Sequence, residues 1–382
     1  MTRQWTINGR FLTQPLTGVQ RYARETIAAL DRLIDAGHPL ARGLSIELVC
    51  PQGTKDDLGL KKIVVRAAGR GRGHYWEQVE LPIAASGGVL SLCNVGPLAA
   101  KRHVVCIHDV NTILAPASYS QQFRMLYRWL LPAIGRRASK VATVSHFSAG
   151  QIDRFAIAPH SKIAVIPNGR EHALRWSPQH SPVTRAAAGD GTIVVIGSPA
   201  PHKNVGMLIG LADQLAGLGL KLAIVGSLDG KVFASGNAGP ISGNIVWLGR
   251  LTDGEIAALL QDCLCLAFPS FTEGFGLPPL EAMTLGCPVV SSDRASLPEI
   301  CADGALFAPP DAPDAWLERF MQLKRDKQLH ADMRRRGQQA AQRYSWARSA
   351  ERYLEVLAEV DGVALPAERP GSVTPRELAS AV

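Results

Sequence analysis

Short apolar runs alternate with helical patterns along nearly the whole chain, and this alternation restricts the fold more than any other feature. LSIELVC (44–50), KIVVR (62–66), GVLSLC (88–93), HVVCIHD (103–109), KVATVS (140–145) and KIAVIP (162–167) read as strands. GVQRYARETIAALDRLIDAG (18–37) and QFRMLYRWLLPAIGRRA (122–138) read as helices between them. EHALRWSPQHSPVTRAAAGDG (171–191) interrupts the pattern with proline and polar residues. The series then restarts with GTIVVIGS (191–198), LKLAIVGS (220–227), NIVWLG (244–249), CLCLAFPS (263–270), CPVVSS (287–292) and GALFAP (304–309). Helical stretches follow most of these, among them NVGMLIGLADQLAGLG, PPLEAMTLG and one long run over 314–344. Strands alternating with helices build βαβ units on a parallel sheet. The expected fold class is therefore α/β, with two doubly wound domains at 1–180 and 190–344. A chain of 382 residues, 46% hydrophobic, is long enough for two cores. A helix within 345–362 is expected to cross back to the first domain. The tail over 363–382, rich in Pro, Ala and Ser, is expected to be frayed.

Bulk composition narrows the function classes. The seven cysteines form no Cys-x-x-Cys pair and mostly sit inside apolar runs. That favours reduced, buried thiols in the cytosol over a disulfide framework or a zinc site. Met1 leads into polar TRQWTINGR, so no signal peptide is expected. No uncharged apolar run reaches about 18 residues, so no spanning helix is expected. Residues 1–185 hold 24 Lys+Arg against 11 Asp+Glu, a net of +13; the remainder hold 17 against 22, a net of −5. A basic half suits a phosphate-bearing substrate or an anionic membrane surface, or is ordinary solvated charge. Nucleic acid is not expected, because no interleaved aromatics or recognised binding module accompany the charge.

FTEGFGLPPLEAM (271–283) carries the strongest local signal. It follows a strand, so it lies where ligands bind in a doubly wound sheet. Pro278 and Pro279 suit a first helical turn, Gly286 the helix end. Glu273 is then in the loop and Glu281 in the first turn. Gly274 and Gly276 permit close backbone approach, and the loop amides with the helix start form an anion-binding concavity. Glu281 can accept from a ribose diol, and Glu273 can meet sugar hydroxyls or a cationic sugar centre. Spacing alone also fits a helix-dipole partner at Glu281 and a turn cap at Glu273.

Glu273, seven residues and Glu281, with GFGLP inside and EAM then GCPVV after, resemble the retaining glycosyltransferases of family four. TGVQRYARE, WEQVELP (76–82), VVCIHDV (104–110), VSHFSAGQI (144–152), IPNGREH (166–172), HKNVGMLI (202–209), WLGRLTDGEIAALL (247–260) and ASLPEICADGALFAPPD (295–311) resemble family segments in the same order. The resemblance thus covers nearly the whole chain. It implies the GT-B fold, two Rossmann-like domains facing across a nucleotide-sugar cleft, with the first domain taking the acceptor.

Residue by residue, the resemblance implies catalytic roles for Glu273, His108 and Lys203. It implies donor contacts at Gly18, Ser198, Lys203, Arg250, Leu251, Gly274, Phe275, Gly276 and Glu281. Arg21, Asp109 and Ser145 are the candidate acceptor contacts; Arg21 also fits a solvated helix face, and Ser145 also reads as a helix cap. The family often places an arginine beside the glycine or the lysine of GSPAPHKN (197–204), where this chain has Ser198 and His202. His202 supplies that charge only in part at neutral pH. No Asp-x-Asp is present, and neither a metal nor another cofactor is expected; Asp253 and Glu255 read as helix-start acids.

The implied reaction is transfer of a hexose from a nucleoside-diphosphate sugar to a hydroxyl, with retained configuration. INGRFL, TGVQRYARE, WEQ and HDV are nearest to bacterial transferases of exopolysaccharide or O-antigen (lipopolysaccharide) assembly. These are often mannosyltransferases using GDP-mannose, which implies a glycan or polyprenyl-diphosphate-linked acceptor and a cytoplasmic, peripheral-membrane location. The rival readings are a non-catalytic GT-B scaffold and another nucleotide-sugar enzyme, such as a 2-epimerase.

Overall fold

Two all-parallel sheets organise the chain, and their strand orders fix where a ligand can bind. The computed structural model describes residues 3–55, 57–226 and 243–364. Ser227, the last residue of LKLAIVGS, and the tail beyond residue 364 lie outside them. The first sheet runs β3-β2-β1-β4-β5-β6-β7, from β1 (Arg3–Asn8), β2 (Leu44–Cys50), β3 (Val64–Ala67), β4 (Gly88–Ser91), β5 (His103–Cys106), β6 (Lys140–Thr143) and β7 (Ile163–Val165). The second runs β10-β9-β8-β11-β12-β13, from β8 (Gly189–Ile196), β9 (Lys221–Val225), β10 (Ile245–Gly249), β11 (Cys263–Phe268), β12 (Val289–Ser292) and β13 (Leu306–Ala308). Chain order reverses between β1 and β4, and again between β8 and β11. Such reversals open a crevice at the carboxyl ends of the strands.

The strands read as apolar runs because helices cover both faces of a parallel sheet. All six side chains of β11, CLCLAF, are buried. β1 has no counterpart among the expected strands. RQWTIN alternates polar and apolar residues, as a half-exposed strand does, yet Thr6 and Asn8 are buried. The long helical run over 314–344 is two helices, Pro313–Arg325 and Lys327–Ala341. Asp326 separates them by capping the second, accepting from the Leu329 N–H at 2.9 Å. All seven cysteines are free thiols, six of them buried.

The last helix, Trp346–Val360, packs along the first, Gly18–Asp35, and not on the second sheet. The hydroxyls of Tyr22 and Tyr353 meet at 2.9 Å, and Tyr22 also donates to the Ile166 carbonyl. Asp361 just beyond it pairs with Arg3 at 2.6 Å and accepts from the Trp5 indole. The chain therefore crosses between the domains twice.

One buried ion pair braces the first crevice. Glu77, 1% exposed, accepts from Asn8 (2.7 Å), from Arg10 (3.0 Å) and meets His74 (3.1 Å). Burial pushes its carboxyl up, but His74, Arg10 and Asn8 outweigh burial and hold it below the ordinary range. A folded pKa below the unfolded one gives stability that is present above about pH 4.3 and lost as pH falls through the folded value. Glu77→Gln leaves Arg10 buried without its counter-charge, so it is expected to cost about 3–5 kcal/mol at pH 7. The deficit should shrink on acidification. Denaturant midpoints at pH 7 and pH 3.5 check this, and a deficit equal at both contradicts it.

Candidate active site

The loop after β11 is held at the junction of the two domains by glycine geometry and borrowed hydroxyls. Gly276 caps the helix Leu277–Thr284 with φ +105°, a conformation side chains rarely adopt. A Cβ on Gly274 would lie 2.4 Å from the His108 carbonyl oxygen and 3.1 Å from Asp109 Cβ. Only glycine lets the loop rest on the carboxyl end of β5. Ser145 donates to the Gly274 carbonyl at 2.6 Å, and Ser148 donates to the carbonyls of His108 (3.0 Å) and Gly274 (3.2 Å). Ser296 anchors the same loop from its own domain, meeting the carbonyls of Glu273 and Phe275 at 3.0 Å each. The N–H groups of Gly274, Phe275 and Gly276 meet no backbone acceptor among the described residues.

Lys203 and Glu273 are brought together from 70 residues apart, Nζ to Oε1 at 2.6 Å. Lys203 also lies 5.6 Å from the Phe268 ring centroid. Asp109 stands close by. Burial pushes its carboxyl up and Glu273 adds to the push, against the Asn111 N–H and Lys203. His108 donates from Nε2 to the Leu92 carbonyl at 2.8 Å, since a carbonyl can only accept. Burial pushes the His108 pKa down, but Cys106 and the Leu92 carbonyl outweigh it and hold it above the ordinary value. The Ser270 hydroxyl, buried just before the loop, has no hydrogen-bond partner among the described residues.

Glu281 is oriented by a residue that the sequence did not single out. His172, 1% exposed, bonds Glu281 Oε1 from Nε2 at 2.9 Å. The Trp346 indole N–H, a donor only, bonds His172 Nδ1 at 3.0 Å. Nδ1 is thus the acceptor, and Nε2 carries the proton given to Glu281. Arg21 Nε lies 3.8 Å from the same carboxylate oxygen, while its two terminal nitrogens grip Asp253 at 3.0 and 2.7 Å. His172 closes the IPNGREH segment, but a gap of 109 residues to Glu281 leaves no spacing to read. His172→Ala is expected to weaken donor binding about tenfold, the size of one charge-assisted hydrogen bond, with kcat changed far less. Donor KM against kcat checks the split.

Two helix starts converge here. Gly18 opens the first helix without a side-chain cap, and its nearest outside neighbour is Leu277 Cδ2, 3.8 Å from the position of a Cβ. Leu277 opens the loop helix. The free amides of the first helix and the Leu277 amide, with the positive ends of both dipoles, therefore lie close together, a setting suited to a diphosphate, while Pro278 and Pro279 carry no N–H.

Other expected site residues stand elsewhere. Ser145 is fully buried and occupied by Gly274 and by its own helix cap to Ser148, so it is not open to an acceptor. Arg21 stands at the Glu281 end of the crevice, tied to Asp253, and not toward an acceptor. Asp253 is thereby an interdomain partner as well as a helix-start acid. The Phe275 ring is buried edge-on against Tyr344, so only its backbone faces the crevice. Arg250 is exposed and forms no ion pair among the described residues, and Leu251 packs against the core. Ser198 lines a separate cavity of about 200 Å³ with Ile224 and Trp247, and Lys203 is not in its wall. His202 bonds Ser118 of the first domain at 2.8 Å; burial and Lys203 push its pKa down, so it does not replace the missing arginine at pH 7.

Residues 177–340 match the family model described as glycosyl transferases group 1. This range contains Lys203, Glu273 and Glu281. By this match, residues 177–340 are a group 1 glycosyltransferase domain. The chain is 29% identical over 262 residues to O-antigen chain mannosyltransferase B of Escherichia coli, covering 65% of this chain and 68% of that one. It is 25% identical to O-antigen chain mannosyltransferase RfbU of Salmonella typhimurium, covering 56% and 59%. The match thus spans about three fifths to two thirds of these relatives. Among solved structures, sucrose-phosphate synthase of Thermosynechococcus elongatus superposes with a TM-score of 0.69 at 16% identity, covering 94% and 99%. Anabaena HepE, in complex with UDP and glucose, gives 0.66 at 18%, covering 94% and 100%. These likenesses establish the GT-B fold. The group 1 domain supplies the loop, the lysine and both glutamates. The surfaces that meet them, at Gly18, Arg21, His108, Asp109 and His172, come from outside the matched range.

Proposed function

We propose that this chain transfers mannose from GDP-mannose to a hydroxyl of a glycan or polyprenyl-diphosphate-linked acceptor, with retained configuration, in surface polysaccharide assembly. The observation that carries this reading is the joint placement of the Lys203–Glu273 pair, the two uncapped helix starts and the oriented Glu281 around one crevice. The mannosyl donor rests on the O-antigen mannosyltransferases among the relatives.

In this mechanism the leaving diphosphate sits at the helix starts and takes Lys203 as its counter-cation. Lys203 exchanges one partner for another, so its charge stays neutralised throughout. Glu273 then faces the developing oxocarbenium charge. The carboxylate of Glu281 accepts from the ribose, held in place by His172. His108, held by the Leu92 carbonyl, stands at the sugar end of the crevice. The acceptor oxygen attacks the anomeric carbon on the face the phosphate leaves, and the departing phosphate oxygen takes the acceptor proton. Closure of the loop on β5 keeps water from competing. No metal is needed for this charge balance. Proton NMR of the first-formed product, with chelator present, tests the reading: an α-linked mannoside from α-linked donor supports it, and an inverted product or an absolute metal requirement contradicts it.

The reading extends to an anionic membrane surface. No helix among the described residues is long and apolar enough to cross a membrane. The helix Gln121–Arg137 instead exposes Met125, Leu126 and Trp129 beside Arg124 and Arg128. Flotation with anionic vesicles, abolished at about 1 M salt where the Debye length is ~3 Å, is the expected result.

A further inference from the structure

The carboxyl ends of β1, β2 and β3 enclose a second open space, outside the group of residues around Glu273. It is a pocket of about 690 Å³ whose charged lining residues, among those described, are Lys55, Arg70 and Arg72. The segment GRGRG (69–73) forms one wall and PQGTK (51–55) the other. Arg70 donates to Gln52 at 3.3 Å, while Lys55 and Arg72 form no ion pair among the described residues. The Glu80 carboxylate accepts from the Gly71 N–H at 2.9 Å. Three cationic side chains lining a glycine-walled pocket favour a multiply charged anion.

An apolar track begins at its rim. A Cβ on Gly71 would lie 2.7 Å from the Tyr75 ring, so that ring covers the pocket wall. Tyr75, Val79 and Ile83 follow at four-residue spacing on the helical segment over 73–84, and they are 62%, 43% and 82% exposed. Helical segments cover little solvent-exposed apolar surface of this kind without a partner. A doubly charged head beside an unpartnered apolar track matches a prenyl diphosphate.

We propose that this pocket binds the diphosphate of a lipid-linked acceptor, with the first isoprene units along Tyr75 and Val79; the inference rests on the transferase reading above. The sheet order sets a consequence. From β2 to β5, where His108 and Asp109 stand, is three strand spacings, about 14 Å. A hydroxyl reacting beside Asp109 is thus separated from the lipid diphosphate by a short saccharide. The acceptor is a lipid already carrying sugar, not a bare lipid phosphate.

Calorimetric titration of the full chain with inorganic pyrophosphate and with farnesyl diphosphate tests this. Farnesyl diphosphate should bind at least tenfold tighter than pyrophosphate, and the Arg70→Ser, Arg72→Ser double variant should weaken it at least tenfold. Lys203→Ala should leave it unchanged. These arginines are exposed, so the double variant is expected to fold, and an unaltered thermal shift with nucleotide sugars confirms an intact donor crevice. Binding lost in Lys203→Ala but kept in the arginine variant would place the diphosphate in the donor crevice and overturn the proposal, as would no binding to wild type. If farnesyl diphosphate binds as expected while no nucleotide sugar binds any variant, the transferase reading fails and the pocket assignment stands.

Discussion

Glu273→Ala is expected to lower kcat by about two to three orders of magnitude, or roughly 2.7–4 kcal/mol of transition-state stabilisation. The donor KM should stay level or fall. Glu273 holds Lys203 at 2.6 Å, so its removal frees a cation for the diphosphate. The same removal withdraws the carboxylate that faces the cationic sugar. Ground-state binding and transition-state binding therefore move apart, which is the signature of a group acting mainly in the transition state. Glu273→Gln keeps the shape and a hydrogen-bonding oxygen but not the charge, and should recover little. Steady-state kinetics on both variants decide the matter. A kcat within tenfold of wild type would mean that Glu273 only braces the loop.

Gly274→Ala should be nearly as damaging for a different reason. The added methyl group would meet the His108 carbonyl at 2.4 Å, and backbone cannot move aside cheaply. The loop must withdraw from the first domain, which breaks the Ser145 hydrogen bond to the Gly274 carbonyl. Lys203 and Glu273 then lose register with His108 and Asp109. A misplacement of about 1 Å at reacting groups costs about 100-fold, so kcat/KM should fall by at least that factor. Stability should fall much less, because the two domains can open slightly to relieve the clash. Wild-type activity from Gly274→Ala, or unfolding as severe as the loss of activity, would contradict this account of closure.

Both predictions depend on contacts that the sequence only half discloses. Strands such as CLCLAFPS and helix punctuation such as Pro278, Pro279 and Gly286 are local signals that place Glu273 on the loop and Glu281 on the helix. Glu281 is, however, the fifth residue of Leu277–Thr284 and not in its first turn, because the helix begins one residue before the prolines. Long-range pairing is not local. Lys203 reads as a phosphate ligand from its position after β8, but nothing in GSPAPHKN says that Glu273 holds it. Arg21 lies on a helix start that fits either the crevice or solvent; the bidentate grip of Asp253, 232 residues away, settles which end it serves. His172 is less visible still, because a buried histidine is usually a satisfied core residue and its two partners come from two remote helices. Ser145 shows the opposite error. Its helix-cap signature was legible, but its second bond to the Gly274 carbonyl is made across the domain boundary and removes it from acceptor binding. The residues of β1 are hard to read because Thr6 and Asn8, though polar, are buried beside Glu47 and Glu77 and not in solvent.

In the proposed reaction one crevice between the domains, with Glu281 as its ribose anchor, holds a nucleoside-diphosphate mannose. Thermal unfolding of wild type and Glu281→Ala against GDP-, UDP-, ADP- and dTDP-sugars, with chelator present, tests it most directly. A ligand at 100 times its Kd adds about 2.7 kcal/mol to the folded state, a readily visible rise in Tm. GDP-mannose should raise the Tm of wild type and leave that of Glu281→Ala nearly unmoved. An equal rise in both proteins, or no rise with any nucleotide sugar, would contradict it.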